Sequence, residues 1–364
     1  MPERQYMLRA IELAMSGAGR VNPNPLVGVV IVKNGRIIGE GYHRQYGGLH
    51  AEREALADCL CRGENPAGAE MYVTLEPCCH RGKQPPCTEA LVDAKISRIY
   101  VGSSDPNPLV AGKGIEYLRV HGVEVQTGYL KSECDSINSI FFHFITKGVP
   151  YVALKYAMTA DGKIATVTGA SKWITGETAR SHVHSLRNRY AAIMVGIGTV
   201  LKDNPMLNCR IDGGVNPLRI VADSQLRIPL DSNIVKSASG ISTIVACAIC
   251  DADKKAALEN CGIEVLEIPD SDKKIDIAAL VKILGGRKID SLLIEGGGTL
   301  NYSAFKAGVV NHIYSYVAPK IFGGEMARSP VSGSGICDVA DAFKLKMCGT
   351  TLLGDDILIE YEVL

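Results

Sequence analysis

The sequence predicts two α/β domains, each a sheet layered with helices. The chain has 364 residues, more than one core usually holds. Helical and extended patterns alternate along its whole length, and the alternation restarts after Gly148-Val149-Pro150. Lys+Arg and Asp+Glu both total 39, and each half is neutral by itself, so neither half reads as a nucleic-acid clamp or an acidic tail. Hydrophobic residues make up 46% and charged residues 21%, the composition of a compact protein. No apolar run approaches the roughly 20 residues that span a bilayer. The opening MPERQYMLRAIELAMSGAGR is charged and amphipathic, unlike a signal peptide, so a cytoplasmic location is expected. The 12 cysteines are diluted over a long chain, which points to buried, reduced thiols and not to a disulfide scaffold.

The elements follow in order. Met7, Ile11, Leu13 and Ala14 recur at helical spacing within residues 3–17, and VGVVIVKNGRIIGEGYH reads as a hairpin turned at Asn34-Gly35. Then come a helix in HAEREALADCL, a strand in AEMYVTLEP, a helix in CTEALVDAKI, a strand in RIYVGSSDP, a helix near IEYLRVHG and a strand in VEVQTGY. One helix is expected from about Lys131 to Thr146. The second half begins with the strand YVALKYAM and a long helix in GETARSHVHSLRNRYAA. Strands IMVGIG, LRIVAD and STIVACAIC, helix DKKAALENCG, a strand near residues 263–269, helix IDIAALVKILGG and strand SLLI come next. The chain ends on a hairpin turned near Gly354-Asp355.

The first half carries a set of metal-binding residues. His50-Ala51-Glu52 opens one helix, Pro77-Cys78 follows a strand, and Cys87 opens the next helix. One nitrogen and two sulfurs suit zinc, thiolates at helix N-termini are stabilised by the macrodipole, and three protein ligands leave the fourth tetrahedral position to water. A carboxylate two residues past the His, Glu52, is placed to shuttle the proton. Two alternatives remain within this reading: Cys79 competes with Cys78, and His80 as a fourth ligand would close a purely structural site.

H-x-E paired with P-C-x-x-C marks the zinc deaminases of nucleosides and nucleobases. Here eight residues, CHRGKQPP, separate Cys78 from Cys87 instead of two. With Asn22-Pro23-Asn24-Pro25-Leu26-Val27-Gly28 upstream and Asp105-Pro106-Asn107-Pro108 with Ala111-Gly112 downstream, the pattern resembles the bacterial riboflavin-biosynthesis deaminase/reductases, over essentially the whole chain. The resemblance implies a cytidine-deaminase-like α/β/α sandwich over residues 1–147. It implies that Cys78, which follows Pro77, is the ligand with His50 and Cys87, that Glu52 is the acid/base, and that Asn24, His80, Lys83, Asp105 and Asn107 contact the substrate.

The second half offers no ligand cluster: Cys247 and Cys250 read as packed thiols in a strand-like run. The dinucleotide fingerprint G-x-G-x-x-G is missing, since Leu201 or Asn301 stands where the third glycine belongs, so a Rossmann domain is unsupported. Glu295-Gly296-Gly297-Gly298 lies between the strand SLLI and a helix expected from Leu300. It is either a tight turn or a place where backbone N–H groups meet a pyrophosphate. The segments 157–163, 171–175 and 196–205 resemble the reductase domain of the same family, which implies a dihydrofolate-reductase-like α/β domain over residues 148–364. It also implies NADPH contacts from Ala157, Trp173, Thr199, Asp203, Ser224, Gly297, Gly298, Thr299, Leu300, Asn301, Tyr302 and Ser303. Substrate contacts are implied for Ser171, Arg187, Leu207, Arg210 and Glu295. Trp173, the only tryptophan, reads equally as core. The function implied is zinc-dependent hydrolytic deamination of a diaminopyrimidinone carrying a ribose 5-phosphate, followed by NADPH reduction of its ribosyl chain. Its partners would be small phosphorylated pyrimidines, with no nucleic acid or membrane, in a homo-oligomer.

Overall fold

A computed structural model describes residues 2–79, 85–107 and 111–364. The chain divides into two compact units, Met1–Gly148 and Val149–Leu364.

In the first unit, helix α1 (Arg4–Met15) precedes a hairpin of β1 (Gly28–Lys33) and β2 (Arg36–Tyr42). Asn34 and Gly35 both take positive φ in its turn, as a two-residue hairpin loop requires. Then follow α2 (Ala51–Cys61), β3 (Glu70–Leu75), α3 (Cys87–Asp93), β4 (Arg98–Ser103), α4 (Lys113–Val120), β5 (Glu124–Thr127), α5 (Lys131–Ile137) and α6 (Ser139–Lys147). The sheet runs β2-β1-β3-β4-β5, with β1 antiparallel to both neighbours and β3, β4 and β5 parallel.

Alternate residues of each strand serve two cores. Val29, Ile31, Val73 and Ile99 pack with α2, α3 and α4, while Val30, Val32, Tyr72 and Tyr100 pack with α1 and α5. The result is an α/β/α sandwich. Gly41 brings β2 against α2 so closely that a Cβ there would lie 2.3 Å from Ala55 N. That contact sets the helix that His50 caps and whose first turn carries Glu52.

The single helix expected over 131–146 is two, broken at Asn138. The buried amide of Asn138 accepts from Leu26 N and donates to Leu26 O, both at 2.8 Å. This long-range pair overrides the local helical pattern.

The second unit contains β6 (Tyr151–Thr159), α7 (Glu177–Arg189), β7 (Ala192–Gly196), α8 (Ile197–Asp203), β8 (Leu218–Ala222), α9 (Asn233–Lys236) and β9 (Thr243–Cys247). It continues with α10 (Ala252–Asn260), β10 (Glu264–Glu267), α11 (Ile277–Gly286), β11 (Ser291–Ile294), α12 (Gly298–Lys306), β12 (His312–Ala318), β13 (Leu345–Leu353) and β14 (Asp356–Val363). Its sheet runs β10-β9-β8-β7-β11-β6-β12-β14-β13. The strands from β10 to β12 are parallel, and the terminal hairpin adds β14 antiparallel to β12. Helices α11 and α12 bury Leu280, Leu284, Ala304 and Phe305 against one face. Helices α8, α9 and α10 cover Ile193, Val221 and Val245 on the other.

Helices α8 and α9 and strand β12 are additions to the sequence reading, and α12 begins at Gly298, two residues earlier than expected. The α8 segment follows β7 without a loop residue, which hides its start behind one continuous apolar run.

Candidate active sites

In the first unit the ligand atoms of His50, Cys78 and Cys87 all lie within 4.8 Å of one another. His50 precedes the first turn of α2, and Cys87 opens α3. The sulfurs of Cys78 and Cys87 are each 3.4 Å from His50 Nδ1, and the Cys87 N–H donates to the Cys78 sulfur at 3.4 Å. Donors bound tetrahedrally at zinc distances stand about 3.5 Å apart, so the triangle fits that ion. The bond from the Cys87 thiol, with help from His50, holds Cys78 down to about 4. The same bond and burial push Cys87 up. This is the proton sharing expected of a donor set built for a cation.

Glu52 is buried beside these donors, and burial, reinforced by the Cys78 thiolate, raises its carboxyl to about 7. A carboxyl poised there can take and return a proton at neutral pH. Cys79 is outside the triangle, and burial raises its thiol. Asn24 Nδ2 is 3.1 Å from His43 Nε2, and the His43 ring meets the His50 ring edge-on with centroids 5.6 Å apart. Burial lowers the pKa of His43.

Asp105 is buried and accepts from Asn107 N at 2.8 Å. Its own N–H reaches Glu76, whose carboxylate also accepts from the N–H groups of Gly112, Gly114 and Ile115. The Glu of LEPCC thus ties the Asp105 loop to the segment carrying Cys78. His80 and Lys83 lie outside the described residues. Sequence reasoning missed His43 and Glu76; a lone His after a strand gives no signal, and the Glu preceding Pro77 passed as part of the cysteine motif.

In the second unit Ala157, Thr199, Ser224 and Gly297 lie toward or just beyond the carboxyl ends of β6, β7, β8 and β11, four adjacent parallel strands. Ligands of open parallel sheets bind at such ends. A Cβ on Gly297 would meet nothing within 4 Å, whereas one on Gly298 would strike Ser332 Oγ and Ser329 O at 2.5 and 2.7 Å. Packing within the chain therefore explains Gly298, while it does not explain Gly297, which caps the start of α12, a place where backbone N–H groups can meet a ligand. Thr299 and Ser303 lie on α12, where the Ser303 hydroxyl donates to Thr299 O. Leu300 and Asn301 are buried, with Asn301 Nδ2 on Pro330 O, and Tyr302 OH bonds to Gly335 O. Asp203 pairs with Lys172 at 3.8 Å.

Trp173 is 64% exposed, under the guanidinium of Arg180 at 4.8 Å, so its reading as core is wrong. Ser171 precedes it in the same connection between β6 and α7. Arg187 grips Glu295 through two bonds of 2.7 and 2.9 Å and donates to Asn208 O at 3.2 Å. Arg210 Nε reaches Asn208 Oδ1 at 3.4 Å, and Leu207, which precedes Asn208, is buried with φ 50°. Lys155, missed as a charge inside an apolar strand, is 3.8 Å from Glu295. Burial by itself would raise Glu295, but Arg187 and Lys155 hold it down at about 2; burial lowers Lys155. Lys155, Arg187 and Arg210 outnumber the one carboxylate among them, an arrangement suited to an anionic ligand.

Fold and sites together define a deaminase-type metal centre joined in one chain to an α/β unit with a cationic side-chain cluster. Residues 1–103 match the cytidine and deoxycytidylate deaminase zinc-binding region, and residues 150–359 match the RibD C-terminal domain. The chain is 52% identical to riboflavin biosynthesis protein RibD of Actinobacillus pleuropneumoniae, over all of this chain and 96% of that one. A diaminohydroxyphosphoribosylaminopyrimidine deaminase/5-amino-6-(5-phosphoribosylamino)uracil reductase from Thermotoga maritima has a similar structure, with TM-score 0.88 and 39% identity, covering 99% of this chain and 98% of that one. RibD of Acinetobacter baumannii has TM-score 0.85 at 36% identity, with the same coverage. The chain belongs to the RibD family of bifunctional riboflavin-biosynthesis enzymes. It carries both the zinc-binding deaminase domain and the reductase domain. Among the described residues no helix is long and apolar enough to cross a membrane.

Proposed function

We propose that the chain deaminates 2,5-diamino-6-ribosylamino-4(3H)-pyrimidinone 5′-phosphate and then reduces the ribosyl side chain with NADPH, giving 5-amino-6-(5-phosphoribitylamino)uracil. The observation that carries the reading is the His50, Cys78 and Cys87 triangle with the buried Glu52 at its side. These three residues hold zinc, which when bound supplies an activated water for hydrolysis. Glu52 takes the proton from that water and passes it to the departing ammonia. Asn24, Asp105, Asn107, His80 and Lys83 orient the ring and the ribose phosphate.

In the reductase unit, Gly297 and the strand-end residues Ala157, Thr199 and Ser224 bind NADPH, with Trp173, Asp203 and the start of α12 completing the contact. NADPH supplies the hydride, and the protein supplies orientation. Ser171, Arg187, Leu207, Arg210 and Glu295 contact the second substrate, with Arg187 held in place by Glu295 and Asn208. The division of labour falls at Gly148. None of the 12 cysteines is paired in a disulfide, which suits a reducing, cytoplasmic setting. The edge strand β13 is nine residues long and exposes Met347 and Leu352, which supports association of copies of this chain.

The test follows ammonia release and NADPH absorbance separately in the purified full chain supplied with the diaminopyrimidine phosphate. Ammonia without added cofactor, and NADPH consumption only after deamination, are expected. NADPH consumption without ammonia release would contradict the order.

A further inference from the structure

His43 follows β2 and is 3% exposed. Its Nδ1 is 2.9 Å from Leu49 O, and because a carbonyl oxygen only accepts, Nδ1 carries the hydrogen. In that ring form Nε2 is a bare acceptor, and it faces Asn24 Nδ2 at 3.1 Å. The amide of Asn24 is therefore polarised: its NH2 is committed to His43, and its Oδ1 has no hydrogen-bond partner among the described residues. A backbone carbonyl one residue before His50 thus decides, through an imidazole, which end of a side-chain amide is left for a ligand.

We propose that His43 is a positioning residue of the deaminase site, fixing Asn24 with Oδ1 toward the ligand, so that the site takes a ring edge carrying an N–H or NH2 donor. The inference rests on the reading of Asn24 as a ring contact and deepens it. An amide free to turn would offer its NH2 as readily and would accept rings with a bare nitrogen at that edge. The diaminopyrimidinone carries donors in its ring and on its amino groups, which matches the acceptor.

The consequence is an energetic coupling between His43 and Asn24 that a packing role would not produce. Four variants of the zinc-loaded full chain test it: His43→Leu, His43→Gln, Asn24→Ala and the double variant Asn24→Ala/His43→Leu. His43→Leu should raise the KM for deamination about tenfold, the scale of one misplaced hydrogen bond, and leave kcat within about twofold. Zinc content should stay at one per chain. His43→Gln should stay near the parent, because its amide also offers one donor and one acceptor. The double variant should be no worse than Asn24→Ala. Where His43→Leu does not fold, judged by circular dichroism and thermal unfolding against the parent chain, His43→Phe keeps a ring in place and serves instead.

Equal KM penalties in both backgrounds, loss of zinc, an unchanged KM in His43→Leu, or a Gln variant as impaired as the Leu variant would each overturn the inference. Absence of ammonia release by the parent chain would overturn the proposed substrate. An unchanged KM in Asn24→Ala would remove Asn24 from the ring contacts and the inference with it.

Discussion

The two sites differ first in the sign of the charge they call for. The deaminase centre gathers acceptors, two thiol sulfurs and an imidazole nitrogen with a buried carboxyl beside them, and its electrostatics favour a cation. The reductase site gathers Lys155 and Arg187 around a single carboxylate, Glu295, with Arg210 on Asn208 beside Arg187, and favours an anion. The first is assembled at two helix starts and one strand end, where helix dipoles steady thiolates. The second draws Lys155 from within β6, Arg187 from α7, Arg210 from the connection between α8 and β8, and Glu295 from just beyond β11. Each half is neutral overall, so it is the local arrangement and not composition that separates the two chemistries.

The sharpest way to break this contrast is to remove a ligand. Cys87→Ser should lose most of the zinc and lower ammonia release by about 10²-fold or more, while Cys79→Ser keeps both. Elemental analysis showing full zinc in Cys87→Ser and depletion in Cys79→Ser would reassign the ligands. In the reductase site the matching operation is Arg187→Met, which leaves the buried Glu295 carboxylate short of its main partner. That should cost about 3–5 kcal/mol of stability in urea titrations, the usual cost of an orphaned buried charge. A loss below about 1 kcal/mol would mean the pair is screened as surface pairs are. The mildest change is Gly297→Val. A Cβ at this position meets no atom within 4 Å, so stability should hold while NADPH binding weakens by about tenfold or more in calorimetry, as a blocked backbone N–H contact would cause. Unchanged NADPH affinity would move the cofactor away from this turn.

Much of this was legible in the sequence because short-range signals carried it. The Asn34-Gly35 hairpin, the helix starts at His50 and Cys87 and the strand-to-helix glycine turn each follow from neighbours along the chain. The split of α5 from α6 was not legible, because Asn138 answers to Leu26, 112 residues away. Lys155 passed as one residue of the strand YVALKYAM, since its partner Glu295 lies 140 positions on. His43 was invisible for the same reason: its meaning depends on Asn24 and Leu49, which only the fold brings to its two ring nitrogens. The exposure of Trp173 was not legible either, as the indole lies at the surface under Arg180, a contact that only the fold shows.

The central claim is that one chain runs two separate chemistries, one centred on the zinc donors and Glu52 and the other on the cationic side-chain cluster. Glu52→Gln in the full chain tests it most directly, with zinc, ammonia release and NADPH oxidation on already deaminated substrate measured on the same preparation. The account predicts full zinc, ammonia release down by about 10²-fold or more, as for loss of a positioned acid/base, and unaltered NADPH oxidation. Near-normal ammonia release, or a parallel collapse of NADPH oxidation in a folded, zinc-replete protein, would contradict it.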